Sequence, residues 1–393
     1  MDFWNILYTI DWVLFNFAAL TVLYMLFFTI TSMLSHKGAI PKTNHQNRFI
    51  ILIPSYKNKR VLQTVRSMLA QTYPQRQFDI SVVSDHNDEM TNMRLAQEPI
   101  TLLTPNYEKS TKVKYLQLAI NNLPQFKIYD IVVVLDAGDL VEPEFLENMN
   151  AAFESAGTKA IQTHILSRNR DTTAARMGAI FEEINNSIFR RGHIAVGLSA
   201  GLMGSGCAFD FTWFKNNIFN IKSAWEDKEL ESLLMRQHIH IDYFDQIYVF
   251  NEKTRESDEF NRERGRWLKA QYLTLLKNIQ YLPIALVNRY YSWADKIIQW
   301  MLLPRMILMA VIILMSIVMP IIYTTLVFKW WGLFAITLLV FAMATPDYLV
   351  DKNWDATFFK SPLVFMKSIP GLSKIADWIE DKEQKRKRKS SIN

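Results

Sequence analysis

The sequence predicts an α/β protein: a Rossmann-like domain with a mostly parallel sheet, flanked by about three transmembrane helices and amphipathic interface helices. Three observations lead there. Apolar β-forming runs alternate with helical spacings from residue 48 to residue 136. Three long stretches carry no charge at all. The run Ile131-Val132-Val133-Val134-Leu135 delivers two acids, Asp136 and Asp139, to the end of a strand.

The soluble part reads element by element. Residues 37–47 (KGAIPKTNHQN) are polar, contain Gly and Pro, and form a linker. Residues 48–54 (RFIILIP) are a first buried strand. Between Lys59 and Gln71, Val61, Leu62, Val65, Met68 and Leu69 fall at helical spacing. Residues 79–84 (DISVVS) form a second strand that ends on Asp85, and Ile100 to Leu103 is a candidate third. Lys114 to Leu123 is helical, and residues 131–136 are a strand apolar enough to be buried on both faces, as in a parallel sheet. Acids at the carboxyl end of such a strand lie where open α/β sheets bind ligands, and a pair of them can hold a divalent cation. The competing reading of Asp136-Ala137-Gly138-Asp139 is an ordinary turn. Further on, a helix over residues 174–189 leads to Gly197–Gly206, where small residues permit close backbone approach.

The uncharged runs are Trp12 to Ser35, Met306 to Phe328 and Trp330 to Pro346. Helices of that length with no polar face are expected in a bilayer rather than a soluble core. No small-residue cleavage site follows the first, so it reads as a retained anchor. Lys329-Trp330-Trp331-Gly332 then reads as a tight interfacial hairpin. Basic residues follow the first span and acids precede it, which puts the middle of the chain in the cytoplasm. The expected location is the cell (inner) membrane, multi-pass. Residues 268–304 and 358–378 are amphipathic and read as interface helices, with packing on the domain as the alternative. The net charge of +6 owes much to the tail Lys385-Arg386-Lys387-Arg388-Lys389. Beside a membrane such a tail meets anionic lipid rather than nucleic acid. The chain divides into an anchor (1–36), linker (37–47), cytoplasmic domain (48–267), interface helices (268–304), membrane hairpin (305–349) and tail (350–393). Half of the residues are hydrophobic, which excludes a disordered chain, and the single cysteine, Cys207, excludes an internal disulfide.

Several motifs remain to be placed. Ile53-Pro54-Ser55-Tyr56-Lys57-Asn58 closes the first strand, and Asp85 closes the second. Lys112 opens Lys112-Val113-Lys114-Tyr115, Gly204-Ser205-Gly206 makes a Gly-rich turn, Trp225-Glu226-Asp227 follows, and then Glu263-Arg264-Gly265-Arg266-Trp267. In this order and spacing the chain resembles the membrane-integrated family 2 glycosyltransferases, which include cellulose, hyaluronan and chitin synthases and bacterial polysaccharide enzymes. The resemblance covers residues 48–267 and implies a GT-A-type domain.

By that resemblance Ser55, Tyr56 and Asp85 meet the nucleotide, and Lys112 lies near the donor diphosphate. Asp136 begins a DxD-like motif, so Asp136 and Asp139 would hold Mg²⁺ or Mn²⁺. Gly204, Ser205 and Gly206 shape the acceptor side. Asp227 is the catalytic base of an ED-like motif, and Glu263, Arg266 and Trp267 form a QxxRW-like motif. The implied partners are a nucleotide-sugar donor, probed first as UDP-linked, a glycan or lipid-linked acceptor, membrane lipid, and a second copy or another membrane protein for export. Each role has a physical reason: a carboxylate can take the acceptor's proton, cations meet the charge on the departing diphosphate, and Trp267 offers a flat face for a sugar ring.

Three positions depart from the family pattern. Gly138 stands where the second acid is usual, Asn58 replaces an acid in the first loop, and Glu263 replaces the Gln. They leave open a catalytically silent scaffold of the same fold, and, within the enzymes, single addition against processive synthesis. His238 and His240 alternate as on one strand face, with a metal site and a solvated face as the two readings.

Overall fold

The computed structural model describes residues 3–35, 38–322 and 326–350. The expected interface helix at 358–378 and the basic tail lie outside these residues. The chain opens with the apolar helix α1 (Phe3–Leu34). Strand β1 (Phe49–Tyr56), helix α2 (Val61–Leu69), strand β2 (Phe78–Asp85), helix α3 (Glu89–Leu95) and strand β3 (Thr101–Leu103) follow. Next come helix α4 (Lys112–Asn121), strands β4 (Ile131–Val134) and β5 (Leu140–Val141), helix α5 (Phe145–Ala156) and strand β6 (Ala160–Ser167).

Among the described residues eight strands form one sheet in the order β3-β2-β1-β4-β7-β6-β8-β5, with β7 (Cys207–Asp210) and β8 (Ile241–Asn251) completing it. The first half is parallel, as its alternation with helices predicts. The second half is mixed: β6 and β8 pair in parallel, and the other pairs do not. Strand β7 enters antiparallel between β4 and β6, and β5 pairs antiparallel with β8. The sheet is therefore mixed rather than mostly parallel. The chain after β6 passes through the helical segment 173–192 and the Gly-rich turn and re-enters the sheet from the opposite end, so β7 runs against both β4 and β6; helix α7 (Phe211–Asn217) follows it directly.

β1 and β4 show why the apolar runs are so dense. Ile50, Leu52, Val132 and Val134 enter the core on one face of the sheet. Phe49, Ile51, Ile53, Ile131 and Val133 enter the core on the other. Each of these side chains is almost wholly removed from water, worth roughly 1.5–3 kcal/mol apiece.

Helix α6 (Thr173–Ile184) runs on into a wider-wound π segment, Asn185–Gly192, which packs against α1. Ser32 and Ser187 share a 3.0 Å hydrogen bond there, and Arg191 donates to Ser32 at 2.8 Å. Helix α8 (Glu226–Arg236) precedes β8. His238 and His240 do not share a strand face. Strand β8 begins only at Ile241, and His238 sits in a left-handed turn with its ring stacked on Tyr290 at 3.7 Å.

Helix α9 (Ser257–Asn278) starts ten residues before the domain boundary expected at 267, so the Glu263–Trp267 segment lies within it. Asp258 and Glu259 in its first turn favour a helix start at that point. Helices α10 (Leu282–Val287) and α11 (Tyr291–Met301) lead to α12 (Arg305–Ile322) and α13 (Val327–Ala344). Helices α1, α12 and α13 are long and apolar enough to cross a membrane. Lys329-Trp330-Trp331-Gly332, expected as an interfacial hairpin, lies inside α13. Lys329 needs no interfacial turn because it is ion-paired with Asp11 of α1, which also accepts from the Trp330 indole at 2.7 Å.

Candidate active site

The carboxyl ends of β1, β2 and β4 converge on one edge of the sheet, where open α/β sheets bind ligands. The register places Tyr56 beside Asp85. Ser55 is buried and accepts a hydrogen bond from Asn87 at 2.8 Å, whereas Tyr56 is half exposed and packs edge-on to His86. Asp85 is fully buried. Ser110 donates to it at 2.5 Å, Tyr115 at 2.7 Å, and His86 lies at 2.7 Å. Burial pushes its pKa up, but these hydrogen bonds outweigh burial and hold the carboxyl below its ordinary range. Sequence reasoning missed these three partners; Tyr115 follows Lys112 by one helical turn on α4, which was the available signal.

Asp136 follows β4, and the Gly204-Ser205-Gly206 turn precedes β7, so the β4–β7 pairing brings them together. Ser205 joins the two acids of the loop. Its hydroxyl accepts from the Asp136 backbone N–H at 2.9 Å and donates to Asp139 at 2.5 Å. The other oxygen of Asp139 accepts from Asn251 at 2.6 Å. Asp139 is therefore turned inward at 1% exposure, with both carboxylate oxygens engaged, while the Asp136 side chain is 45% exposed. Burial, with Asp136 close by, pushes Asp139 up to about 6. Gly138 has φ +103°, a conformation that disfavours any side chain, and its N–H is held by Thr64 at 2.8 Å. Asn58 donates to the Ala137 carbonyl at 2.7 Å, so the two departures from the acidic pattern touch the same turn.

Lys112 opens α4, and its ammonium reaches Asp136 at 2.5 Å, the Gly204 carbonyl at 2.7 Å and Glu226 at 3.3 Å. Burial would lower its pKa, but Asp136 and Glu226 more than reverse this and keep it charged. Glu226 and Asp227 start α8, where the helix dipole favours acids. Burial dominates even so. Glu226 is pushed up to about 7 by burial and by Asp227 and Asp136, against the pull of Lys112. Asp227 is also raised, by burial first. Asp227 is only partly covered, and among the described residues no side chain donates a hydrogen bond to it; its support is the Lys228 backbone N–H. Glu226 was expected as the first acid of the ED-like motif, with no role of its own; its contact with Lys112 was not legible in the sequence.

The Glu263–Trp267 segment approaches from α9. Trp225 donates its indole N–H to the Arg266 carbonyl at 3.2 Å. The Arg266 side chain is exposed, Trp267 is 38% exposed, and Glu263 accepts from Thr254 at 3.1 Å. A cavity of about 680 Å³ lies beneath, bounded by Met203, Lys228 and Trp267 on the domain side and by Thr21, Met25 and Leu314 on the apolar helices.

One exposed acid, Asp136, a buried lysine between it and the helix-start carboxylate Glu226, and the partly covered Asp227 thus gather at this edge of the sheet. The chain belongs to the family described as glycosyltransferase like family 2, whose pattern it matches over residues 45–270. It is thus a glycosyltransferase. A search of curated proteins returned no match. Among solved structures the chain is similar to the mannosyltransferase PcManGT from Pyrobaculum calidifontis in complex with GDP-Man and Mn²⁺. The identity is 12%, the TM-score 0.56, and the match covers 88% of this chain and 99% of that one. It also matches S. aureus TarS residues 1–349 in complex with UDP-GlcNAc, at 13% identity and a TM-score of 0.43, over 86% of this chain and 92% of that one.

Proposed function

We propose that the protein is an inverting glycosyltransferase at the cytoplasmic face of the cell membrane. It moves one sugar from a UDP-linked donor to a lipid-linked acceptor. The observation that carries this reading is Asp227: a partly covered carboxylate, raised in pKa, one helix start away from the Lys112–Asp136 pair. An acceptor hydroxyl attacks the anomeric carbon, Asp227 takes its proton, and the bond from that carbon to the diphosphate breaks with its electron pair leaving on the nucleoside diphosphate. Lys112 and Arg266 meet the charge that develops there. Ser55, Tyr56 and Asp85 hold the nucleotide; Gly204, Ser205, Gly206 and Trp267 border the acceptor, and Glu263 sets the position of its helix.

The residues fit a divalent cation carried in by the donor. Mg²⁺ and Mn²⁺ accept one or two carboxylates together with phosphate oxygens, and Asp136 presents one. When bound, the ion neutralises the leaving diphosphate. Among the described residues no group of three metal-ligating side chains gathers. PcManGT holds GDP-Man with Mn²⁺, which supports a metal-dependent donor site in this fold.

A panel of UDP- and GDP-sugars, incubated with the purified protein in lipid and read by mass spectrometry, tests the reading. Asp227→Asn is expected to retain donor binding and lose transfer. Turnover by that variant would remove Asp227 from the base role, and products longer than one sugar would establish a processive enzyme.

A further inference from the structure

Four cations crowd the floor of the domain above α12: Arg190, Lys253, Arg264 and Arg305. Glu182 pairs with two of them, Arg190 at 3.1 Å and Lys253 at 3.2 Å. Arg264 and Arg305 have no carboxylate within ion-pair distance among the described residues. Arg305 donates to the Phe181 carbonyl at 3.2 Å and to the Asn185 side chain at 2.6 Å. Arg264 makes no hydrogen bond to the described residues, and its Nε is buried without a partner. It is held by rings instead: Phe260 at 5.1 Å, and Phe181 and Trp267 at 5.3 Å each. Phe181 also carries Arg305, at 5.2 Å, so one ring supports both guanidinium groups.

Keeping two like charges together in an apolar setting is costly; Glu182 faces both and Glu263 faces Arg264, but Glu182 is already paired with Arg190 and Lys253, so the group stays short of negative charge. Both arginines line the 680 Å³ cavity. Met25 of α1 and Ala310, Val311 and Leu314 of α12, the helix that Arg305 opens, line it too, and both helices are apolar enough to lie in a bilayer. Met203 and Lys228, the sequence neighbours of Gly204 and Asp227, line the end nearest the reacting groups. The cavity thus combines two guanidinium groups that lack an ion-pair partner with an apolar surface from α1 and α12; the acid that lines it, Glu231, is already paired with Lys228 and Lys296.

We propose that this cavity binds a phosphate-bearing lipid, with the phosphate between Arg264 and Arg305 and the chain along α1 and α12. The proposal rests on the glycosyltransferase reading above and identifies its acceptor. Arg264 and Arg305 bind the lipid; they do not take part in the chemical step.

Native mass spectrometry of the full-length protein in detergent tests this with four probes: farnesyl phosphate, phosphatidic acid, farnesol and inorganic phosphate. Retention of at least one phosphate lipid, with farnesol and inorganic phosphate bound at least about tenfold more weakly, is expected, because hydrogen bonds to a charged group discriminate by that amount. Arg264→Gln should reduce lipid retention by about tenfold and Arg264→Lys should restore part of it. Ala310→Trp, which fills the hydrocarbon path and leaves both arginines in place, should also release the lipid. Equal binding of farnesol overturns phosphate recognition, equal binding of inorganic phosphate overturns the lipid, and retention in both Arg264→Gln and Ala310→Trp overturns the site. Donor hydrolysis without acceptor separates the two readings. If it persists while no phosphate lipid binds, the acceptor assignment fails alone; if lipid binds and no nucleotide sugar is ever consumed, the enzymatic reading fails.

Discussion

Trp225 donates its indole N–H to the backbone carbonyl of Arg266 at 3.2 Å. This bond ties the start of α8, which carries Asp227, to the middle of α9, which carries Trp267. Replacing Trp225 by Phe keeps a ring and removes the donor. A neutral hydrogen bond of this kind contributes about 1 kcal/mol, so a several-fold fall in kcat is expected while donor Kd stays unchanged. An unchanged kcat would show that the two segments are aligned by packing alone.

Activity should rise with pH through neutrality. Asp227 acts as a base only when ionised, and it and Glu226 are both raised, Glu226 to about 7. The acidic limb of kcat against pH belongs to the pair and should lie above the ordinary carboxylate range. Glu226→Gln removes one negative charge and should move that limb to lower pH. The same shift has a stability sign. Between 4.5, the ordinary Glu value, and about 7, the folded chain holds more protons than the unfolded one, so this contribution to stability falls as pH rises across that window. A limb that stays below pH 5 in the native enzyme would contradict both statements.

Asp139 and Asp136 should separate by variant. Asp139→Ala strands Ser205 and Asn251 and is expected to cost roughly 1–3 kcal/mol of stability, read as a lower melting temperature. Asp136→Ala should leave the melt nearly unchanged in position relative to that and abolish the metal requirement together with turnover. If Asp139→Ala instead folds as well as the native protein and loses its metal response, Asp139 reaches the ion after rearrangement.

Metal and donor should bind together. With one exposed carboxylate in the loop, Mn²⁺ alone has few ligands, and UDP supplies the phosphate oxygens. Titration followed by electron paramagnetic resonance should show Mn²⁺ affinity rising by at least about tenfold when UDP is present, since each added charged oxygen ligand is worth an ion-assisted bond. Tight Mn²⁺ binding without nucleotide would demand further ligands from the protein.

Much of this was legible in the sequence. β1, β2 and β4 are short runs of Ile, Val and Leu whose burial on both faces is a local property, and Asp85 and Asp136 follow directly from where those strands end. The mixed half of the sheet was not legible, because whether β7 runs with or against β4 depends on the path of the intervening chain. The inward turn of Asp139 was hidden for a similar reason: one of its two donors, Asn251, stands at the far end of β8. The unpaired state of Arg264 has no local signal either, since it depends on which carboxylates do not reach it.

One contact of α1 bears on how the protein can be handled. The Tyr24 hydroxyl donates to Asp295 at 2.6 Å and lies 2.8 Å from the His193 ring, which is stacked on Phe28 at 3.6 Å. The first helix is thus riveted to α11 and to the residue that follows the π segment, and Thr21 and Met25 supply part of a chamber wall. A shortened protein beginning in the linker would not be the same enzyme set free in solution. It would be a vessel missing one side, with a histidine and an aspartate laid bare where a tyrosine had closed the seam.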